Sequence, residues 1–207
     1  MSIIKDFPKN DLVANAYYAL GLTFAEENRL QEALDNFTKA QISNKADLSV
    51  KIAIAMGGVY VGLEKPELAI SLYRDTLQSY PSSSKQIYPE IAELYFKTGD
   101  YTSALNYYQK SLELSEAKEL PTLHLRIAEI YEAQSRLDAA IEEYLRVVES
   151  PDQDAGLIVK ALLRIGQIYE DKENLKEAIK YYKRIASMDV QESRFAQERV
   201  NQIKGRF

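Results

Sequence analysis

The stretch "AELYFKTGDYTSALNYYQKSLEL", residues 92–114, carries two amphipathic segments on either side of a central Gly-Asp turn. In the first segment a small residue, Ala92, precedes Tyr95 by three positions. Twelve residues after Ala92 comes Ala104, and four residues later Tyr108. Spacings of three and four place residues on one face of a helix. Because glycine is common where a helix ends, the stretch predicts two helices joined by a tight turn.

The same pattern occurs five times along the chain, at spacings of 36, 35, 36 and 38 residues. The small residues of the first segments are Gly21, Gly57, Ala92, Ala128 and Gly166. The alanines 12 positions later are Ala33, Ala69, Ala104, Ala140 and Ala178. The aromatic residues that follow them by four positions are Phe37, Tyr73, Tyr108, Tyr144 and Tyr182. A small residue lets a second helix approach closely and the ring fills the space beside it, so each copy is predicted to be an antiparallel helix pair. One pair cannot bury both of its apolar sides, so the copies must stack.

The pattern resembles the tetratricopeptide repeat, a helix-pair unit of roughly 34 residues. Residues 92–114 follow the pattern of that family over most of their length, with Ser111 where the family has its second alanine. Five repeat units align, at residues 14–47, 50–83, 85–118, 121–154 and 159–192. The resemblance implies an all-α fold, a right-handed α-solenoid of five antiparallel helix pairs plus a C-terminal capping helix at about 192–204. We expect these eleven helices to form a single tetratricopeptide domain over residues 1–207.

Local signals refine this picture. Asn28, Gly99 and Ser135 lie where the first helix of a unit must end, and Gly and Asn are favoured in a left-handed helix cap. Pro89 lies five residues into the first helix of the third unit, so it predicts a late start or a bend of that helix.

The C-terminal sequence "VQESRFAQERVNQIKGRF" predicts an amphipathic helix. Phe195, Ala196, Val200 and Ile203 are placed towards one face, opposite Arg, Glu, Gln and Lys. Such a helix covers the exposed apolar side of the last unit. A helix that binds a partner or a membrane surface is the alternative.

Two tyrosine pairs, 107–108 and 181–182, recur in the same setting. Their second members, Tyr108 and Tyr182, hold the aromatic core position. Their first members, Tyr107 and Tyr181, lie roughly 100° away, so we expect boundary residues with a packed ring edge and a solvated hydroxyl.

The whole chain has 207 residues, of which 46% are hydrophobic and 28% charged, the balance of a folded globular protein. The formal net charge of −5 provides no basic field for nucleic acid, and the absence of cysteine excludes disulfides and thiolate metal sites. No apolar segment of 18 residues exists, so we expect no membrane span. The N-terminal residues lack the apolar run of a signal peptide, which favours the cytoplasm, with the periplasm left open if a leader was removed.

Motifs for catalysis, cofactors or metals are absent from the sequence, which has no glycine-rich phosphate loop, HExxH pair or GxSxG elbow. The single histidine, His124, lies where Tyr17 and Tyr88 lie in other units, so we expect a half-buried packing residue rather than a ligand or base. Glutamates such as Glu143 and Glu170 fall on helix faces predicted to be solvated. We therefore expect no enzyme, no cofactor and no metal site.

The resemblance also implies a binding groove. In the tetratricopeptide family the first helices of the units line a concave surface that binds extended or helical peptide segments, through the second, fifth, sixth, ninth and twelfth residues of each unit. Candidate groove residues chosen from these positions are Asn15, Tyr18, Lys51, Ile54, Glu93, Leu125, Arg126, Glu129, Lys160, Leu163, Arg164 and Gln167.

This groove is predicted to be apolar in its N-terminal half and charged in its C-terminal half. Lys160 and Arg164 are spaced i, i+4, so both lie on one helix face and could hold a ligand carboxylate. Some chaperone-tail-binding members of the family use Lys and Arg at these two positions. The other clamp positions are Pro89, Glu93 and Arg126 here, so that resemblance is partial. The alternative is that these charges neutralise one another across adjacent helices.

The sequence thus favours a non-catalytic scaffold that binds a peptide or protein segment in the groove. The alternative is a structural module that self-associates or docks in a multiprotein complex, for example in a bacterial envelope. A regulatory domain of a larger enzyme is the third hypothesis. The partner itself does not follow from the fold.

Overall fold

The computed structural model describes residues 11–43, 45–151 and 154–205, and these residues form helices and no strands. Within this part of the chain no helix is both long and apolar enough to cross a bilayer. The α-helices are α1 Asp11–Glu26, α2 Leu30–Ala40, α3 Ala46–Gly62, α4 Pro66–Ser79, α5 Ser84–Lys97, α6 Tyr101–Leu114, α7 Leu120–Ala133, α8 Leu137–Val148, α9 Ala155–Asp171, α10 Leu175–Ala186 and α11 Ser193–Lys204.

The first ten helices follow one another as five pairs, and in every pair three residues separate the two helices. The pairs α1–α2, α3–α4, α7–α8 and α9–α10 pack side by side. In the α5–α6 pair, Tyr88 and Tyr95 contact Tyr107 with ring centroids 5.7 and 5.8 Å apart. Helices that are joined by so short a turn and pack together must run antiparallel, which confirms the predicted helix pairs.

The chain divides into two compact halves, Met1–Tyr107 and Tyr108–Phe207, and the division falls inside α6. We call them the N-terminal half and the C-terminal half and describe each by itself. The bounds of the repeat units and the single domain over residues 1–207 stay predictions.

The turn inside every pair is made by one residue in the left-handed conformation. These residues are Asn28, Glu64, Gly99, Ser135 and Glu173, with φ between 56° and 81°. Their spacings of 36, 35, 36 and 38 residues equal those of the sequence repeat. The following N–H usually closes the turn, as Arg29 N does by donating to the Phe24 carbonyl at 2.8 Å. The turns predicted at three of these positions are therefore confirmed.

In the first and last helix pairs the small residue and the ring meet as the sequence predicts. A Cβ added to Gly21 would lie 2.5 Å from the Phe37 ring, and one added to Gly166 would lie 2.8 Å from Tyr182. Both rings are essentially buried, at 0% and 1% exposure. Because no side chain fits between the two helices at these points, the glycines set how closely the helices approach.

The predicted late start at Pro89 is wrong. Helix α5 begins at Ser84, directly after a 3-10 turn over Pro81–Ser83, and runs through Pro89 to Lys97. Ile87 and Ile91 flank the proline and are fully buried. Packing of these side chains holds the segment helical although the proline supplies no N–H.

The closing helix α11 packs against α10 and buries Ala196, Val200 and Ile203 completely. This confirms the expected apolar contact with the last pair. Phe195, however, is 52% exposed, so its predicted place on the buried face is wrong. The buried residues follow the i, i+4, i+7 spacing, and Phe195 lies one residue, about 100°, off that stripe.

Tyr107 and Tyr181, the first residues of the two tyrosine pairs, differ in how deeply they are buried. Tyr107 is half-buried, as expected of a boundary residue. Tyr181 is only 6% exposed, which corrects the prediction, because its ring stacks on Tyr169 with centroids 5.6 Å apart and planes 9° from parallel.

Candidate interaction surface

The charged candidate residues of the C-terminal half lie on α7 and α9, the first helices of two successive pairs. Helix α9 is capped by the Asp154 carboxylate, which accepts a hydrogen bond from Leu157 N at 3.1 Å. Lys160 and Arg164 follow in the next two turns of this helix, and both reach across to glutamates of α7. The two helices therefore bring together residues that lie 31 and 32 positions apart in the sequence.

Glu129 is the centre of the first ion pair. Its carboxylate accepts from Lys160 Nζ at 2.6 Å and from Arg126 Nη1 at 2.8 Å. Burial would raise the pKa of Glu129, but the hydrogen bonds from Lys160 and Arg126 outweigh burial and lower it. The carboxylate is therefore held in its charged form.

Glu132 is the centre of the second ion pair. Arg164 donates from Nη2 and Nε to the two carboxylate oxygens, at 2.6 and 3.0 Å. The Tyr144 hydroxyl donates to the same carboxylate at 2.5 Å, and Arg164 also donates from Nη1 to Gln167 at 2.8 Å. The hydrogen bonds to Glu132 raise the pKa of Arg164. The pKa of Tyr144 is also raised, mainly by burial and secondly by the hydrogen bond to Glu132.

These residues surround an open pocket of about 510 Å³, lined by Glu129, Glu132, Ala133, Lys160 and Arg164. The cations face outwards and the carboxylates lie beneath them. Lys160 and Arg164 are 49% and 45% exposed, whereas Glu129 and Glu132 are 19% and 14% exposed. The ion pairs are those of the alternative interpretation, in which charges neutralise one another across adjacent helices. The side chains most exposed to solvent are nevertheless the positively charged Lys160 and Arg164.

The apolar candidates of this half are less accessible. Leu125 is 4% exposed and belongs to the core, so its assignment to the groove is corrected. It faces inwards because it lies on the same stripe as the buried Ala128. Leu163 is partly buried against the same core, and Gln167 is half-buried beside Arg164.

An arrangement like that of Glu132 recurs at the end of the chain and was not predicted from the sequence. Glu170 accepts from the Tyr182 hydroxyl at 2.8 Å and from Arg199 Nε and Nη2 at 2.8 and 2.6 Å. Glu170 is 10% exposed rather than solvated, which corrects the prediction for this residue. The available signal was a glutamate 12 positions before the core tyrosine, present in the last two units alone.

The candidates at the start of the N-terminal half make mostly local contacts. Asn15 is exposed and donates to the Asp11 carbonyl at 2.8 Å. Lys51 pairs with Asp47 at 2.7 Å, and this hydrogen bond raises the pKa of Lys51. The Tyr18 ring lies 5.9 Å from the Phe37 ring and is half-buried.

The remaining candidates of this half are Ile54 and Glu93. Ile54 is half-buried and its carbonyl accepts a hydrogen bond from the Tyr73 hydroxyl at 3.3 Å. Glu93 forms an ion pair with Lys97 at 3.4 Å. Burial raises the pKa of the neighbouring Glu90, and the negative charge of Glu93 adds to the shift.

His124 is partly buried, with 17% of its side chain exposed, which agrees with the expected packing role. Its Nδ1 lies 2.6 Å from Glu143 Oε2 on α8. Glu143 is 18% exposed, so its predicted place on a solvated face is wrong. Within the described ranges, no group of three or more histidine or carboxylate side chains lies close enough together to hold a metal ion.

Comparison with known proteins identifies the family. One tetratricopeptide repeat model matches residues 86–153, and a second model of the same family matches residues 14–42 and 159–189. Together these matches cover more than half of the chain, so the protein belongs to the tetratricopeptide repeat family. Proteins of this family are typically non-catalytic and act as protein-interaction scaffolds.

A curated relative is tetratricopeptide repeat protein 21A of Mus musculus. It is 26% identical over 103 residues, which are 48% of this chain and 8% of the relative. The match thus spans less than a tenth of that protein's length.

Solved structures share the fold at low sequence identity. A pilF structure, described as "Functional Characterization of Pseudomonas Aeruginosa pilF", is 18% identical to this chain. Its TM-score is 0.69, and the match covers 94% of this chain and 86% of that one. A MamA crystal structure is 21% identical, with a TM-score of 0.63 and coverage of 83% and 88%. YrrB, described as a TPR protein with an unusual peptide-binding site, is 19% identical, with a TM-score of 0.63 and coverage of 97% and 96%.

Proposed function

We propose that this protein is a non-catalytic scaffold that binds an acidic peptide or protein segment on the first helices α7 and α9 of its C-terminal half. The residues that contact the segment are Arg126, Lys160 and Arg164, with Gln167 beside them. The peptide-binding site named for YrrB is consistent with a ligand of this class.

The observation that carries the proposal is the layering of charge around the pocket. Each cation is already neutralised from below by Glu129 or Glu132, so the protein holds it in place without a ligand. Lys160 and Arg164 are 49% and 45% exposed, and their exposed sides offer N–H donors to a ligand, since a guanidinium has five N–H groups and an ammonium three. An acidic side chain can bind there without any unpaired buried charge being created.

Fluorescence anisotropy with labelled peptides of about ten residues tests this proposal. The peptides contain alternating Asp and Glu, alternating Lys and Arg, or neutral Ser and Gly. We expect only the acidic peptide to bind. We expect the double variant Lys160→Gln with Arg164→Gln to lower the affinity for this peptide by about tenfold or more, which corresponds to the free energy of one charge-assisted hydrogen bond.

The matched control is Lys176→Gln with Lys183→Gln, which removes two exposed cations from the second helix α10. This variant has the same net charge as the double variant of α9, so it separates a local site from a general charge effect. If both double variants bind the acidic peptide as the wild type does, the α7–α9 surface is not the site.

A further inference from the structure

The closing helix α11 repeats the residue pattern of α9, the first helix of the last pair. Five pairs of residues that lie 35 positions apart in the two helices correspond in type. The corresponding residues are Ala161 and Ala196, Arg164 and Arg199, Ile165 and Val200, Gln167 and Gln202, and Ile168 and Ile203.

The apolar residues of this set are buried in both helices, none of them more than 2% exposed. The polar residues make the same hydrogen bonds. Arg199 donates to Glu170 as Arg164 donates to Glu132, with Nε bound to the oxygen that also accepts from the core tyrosine. Arg199 also donates from Nη1 to Gln202, three residues on, at 3.0 Å. Helix α11 therefore packs as the first helix of a sixth pair would.

This register explains the exposure of Phe195. Counting back 35 residues from Phe195 leads to Lys160, which lies on the interaction surface and not on the buried stripe. Phe195 and Arg199 are spaced i, i+4, as are Lys160 and Arg164, so they share the corresponding face of α11.

We propose that α11 is a third row of the interaction surface, in which Phe195 contacts an apolar side chain of the bound acidic segment. The inference rests on the function proposed above and names a further feature of its ligand. Charge complementarity supports an acidic occupant, because Arg199 is 32% exposed above the nearly buried Glu170, as Arg164 is above Glu132. The exposed Phe195 ring favours an apolar residue in the ligand, because packing against an aromatic ring contributes binding free energy in addition to that of the charged contacts.

The probe is a pair of labelled peptides of about ten alternating Asp and Glu residues, one with a central Phe and one with a central Ser. We expect wild-type protein to bind the Phe peptide about tenfold more tightly than the Ser peptide, the worth of one buried aromatic contact. In Phe195→Ala the two peptides should bind equally well. Leu114→Ala is the matched control, because Leu114 is a 44% exposed apolar residue of the same half.

The outcomes separate the two proposals. If Phe195→Ala still prefers the Phe peptide while Lys160→Gln with Arg164→Gln weakens both peptides, the row on α11 is refuted and the α7–α9 site stands. If no variant changes the binding of either peptide, or if neither peptide binds, both proposals fail. Light scattering of the same samples would reveal a dimer that Phe195→Ala dissociates, and a second copy would then be the occupant of this face instead.

Discussion

Gly57 shows at a single residue how closely the helices of a pair approach. A Cβ added to Gly57 would overlap the Tyr73 hydroxyl, whereas one added to Gly58 would meet nothing within 4 Å. Tyr73 is 2% exposed and has little room to move away. The two neighbouring glycines lie inside the same helix, so substitutions there differ mainly in the space available.

We expect Gly57→Ala to lower the free energy of unfolding by about 1–3 kcal/mol, because the added methyl group displaces a buried ring. Gly58→Ala should raise the free energy of unfolding by about 0.5–1 kcal/mol, because alanine loses less backbone entropy in a helix. Urea unfolding of both variants measures the difference. Equal stability of the two would contradict the close approach at Gly57.

Glu90 gives a prediction for pH at the residue scale. Burial, with Glu93 second, raises its pKa in the folded protein, so deprotonation costs more in the folded than in the unfolded state. The folded state is therefore favoured most below the unfolded-state pKa of about 4.3, and this contribution is lost as the pH rises through the folded-state pKa.

We accordingly expect Glu90→Gln to raise the melting temperature at about pH 7 and to leave it unchanged at about pH 3.5, where the carboxyl group is protonated in both states. Glu67→Gln, on the exposed side of α4, is the control for the removal of a carboxyl group. A gain in melting temperature of equal size at both pH values would show that ionisation of Glu90 is not the cause.

At the scale of the element, the contact of α11 with α9 and α10 depends on Glu170. Its carboxylate is 10% exposed and joins Arg199 of α11 to Tyr182 of α10. A second ion pair of α11, Arg194 with Glu198 at 3.0 Å, is exposed, with 91% and 58% of the two side chains in contact with solvent. The same helix thus carries a largely buried ion pair and an exposed one.

A double-mutant cycle on each ion pair should show that the two pairs contribute differently to stability. We expect a coupling free energy of about 1–3 kcal/mol between Glu170→Gln and Arg199→Met, because both groups are largely withdrawn from water. The coupling between Arg194→Met and Glu198→Gln should be about 0.3–0.5 kcal/mol, as for other exposed pairs on a helix. Chemical unfolding of the six variants and the wild type supplies both values, and equal couplings would contradict a structural role for Glu170.

The sequence predicts the helix pairs well because the residues that decide them act locally. Gly99, Asn28 and Ser135 identify their own turns, but Glu64 and Glu173 are recognised only through the period of the repeat, since glutamate has no preference for positive φ. Pair contacts such as Arg164 with Glu132 join residues 32 positions apart. A charge on a helix face has the same pattern in sequence whether it is solvated or paired with another helix, so the sequence offered pairing across adjacent helices only as an alternative and did not decide for it.

For the whole molecule, the spacing of the five copies suffices to predict the all-α class and the family. It does not determine the ligand, because the exposed positions of the first helices vary from repeat to repeat while the core positions recur. Self-association, the alternative drawn from the sequence, stays a prediction that molar mass measured at several concentrations would test.

The layering of cations over carboxylates also has a kinetic consequence. The chain carries a net charge of −5, so a distant acidic partner is repelled, and it is attracted only once it meets the exposed guanidinium and ammonium groups. Physiological salt screens charges farther apart than about 8 Å, which weakens the repulsion during approach more than the attraction in contact. Moderate ionic strength should therefore speed the encounter with such a partner, and lifetime rather than association rate should distinguish a good ligand from a poor one.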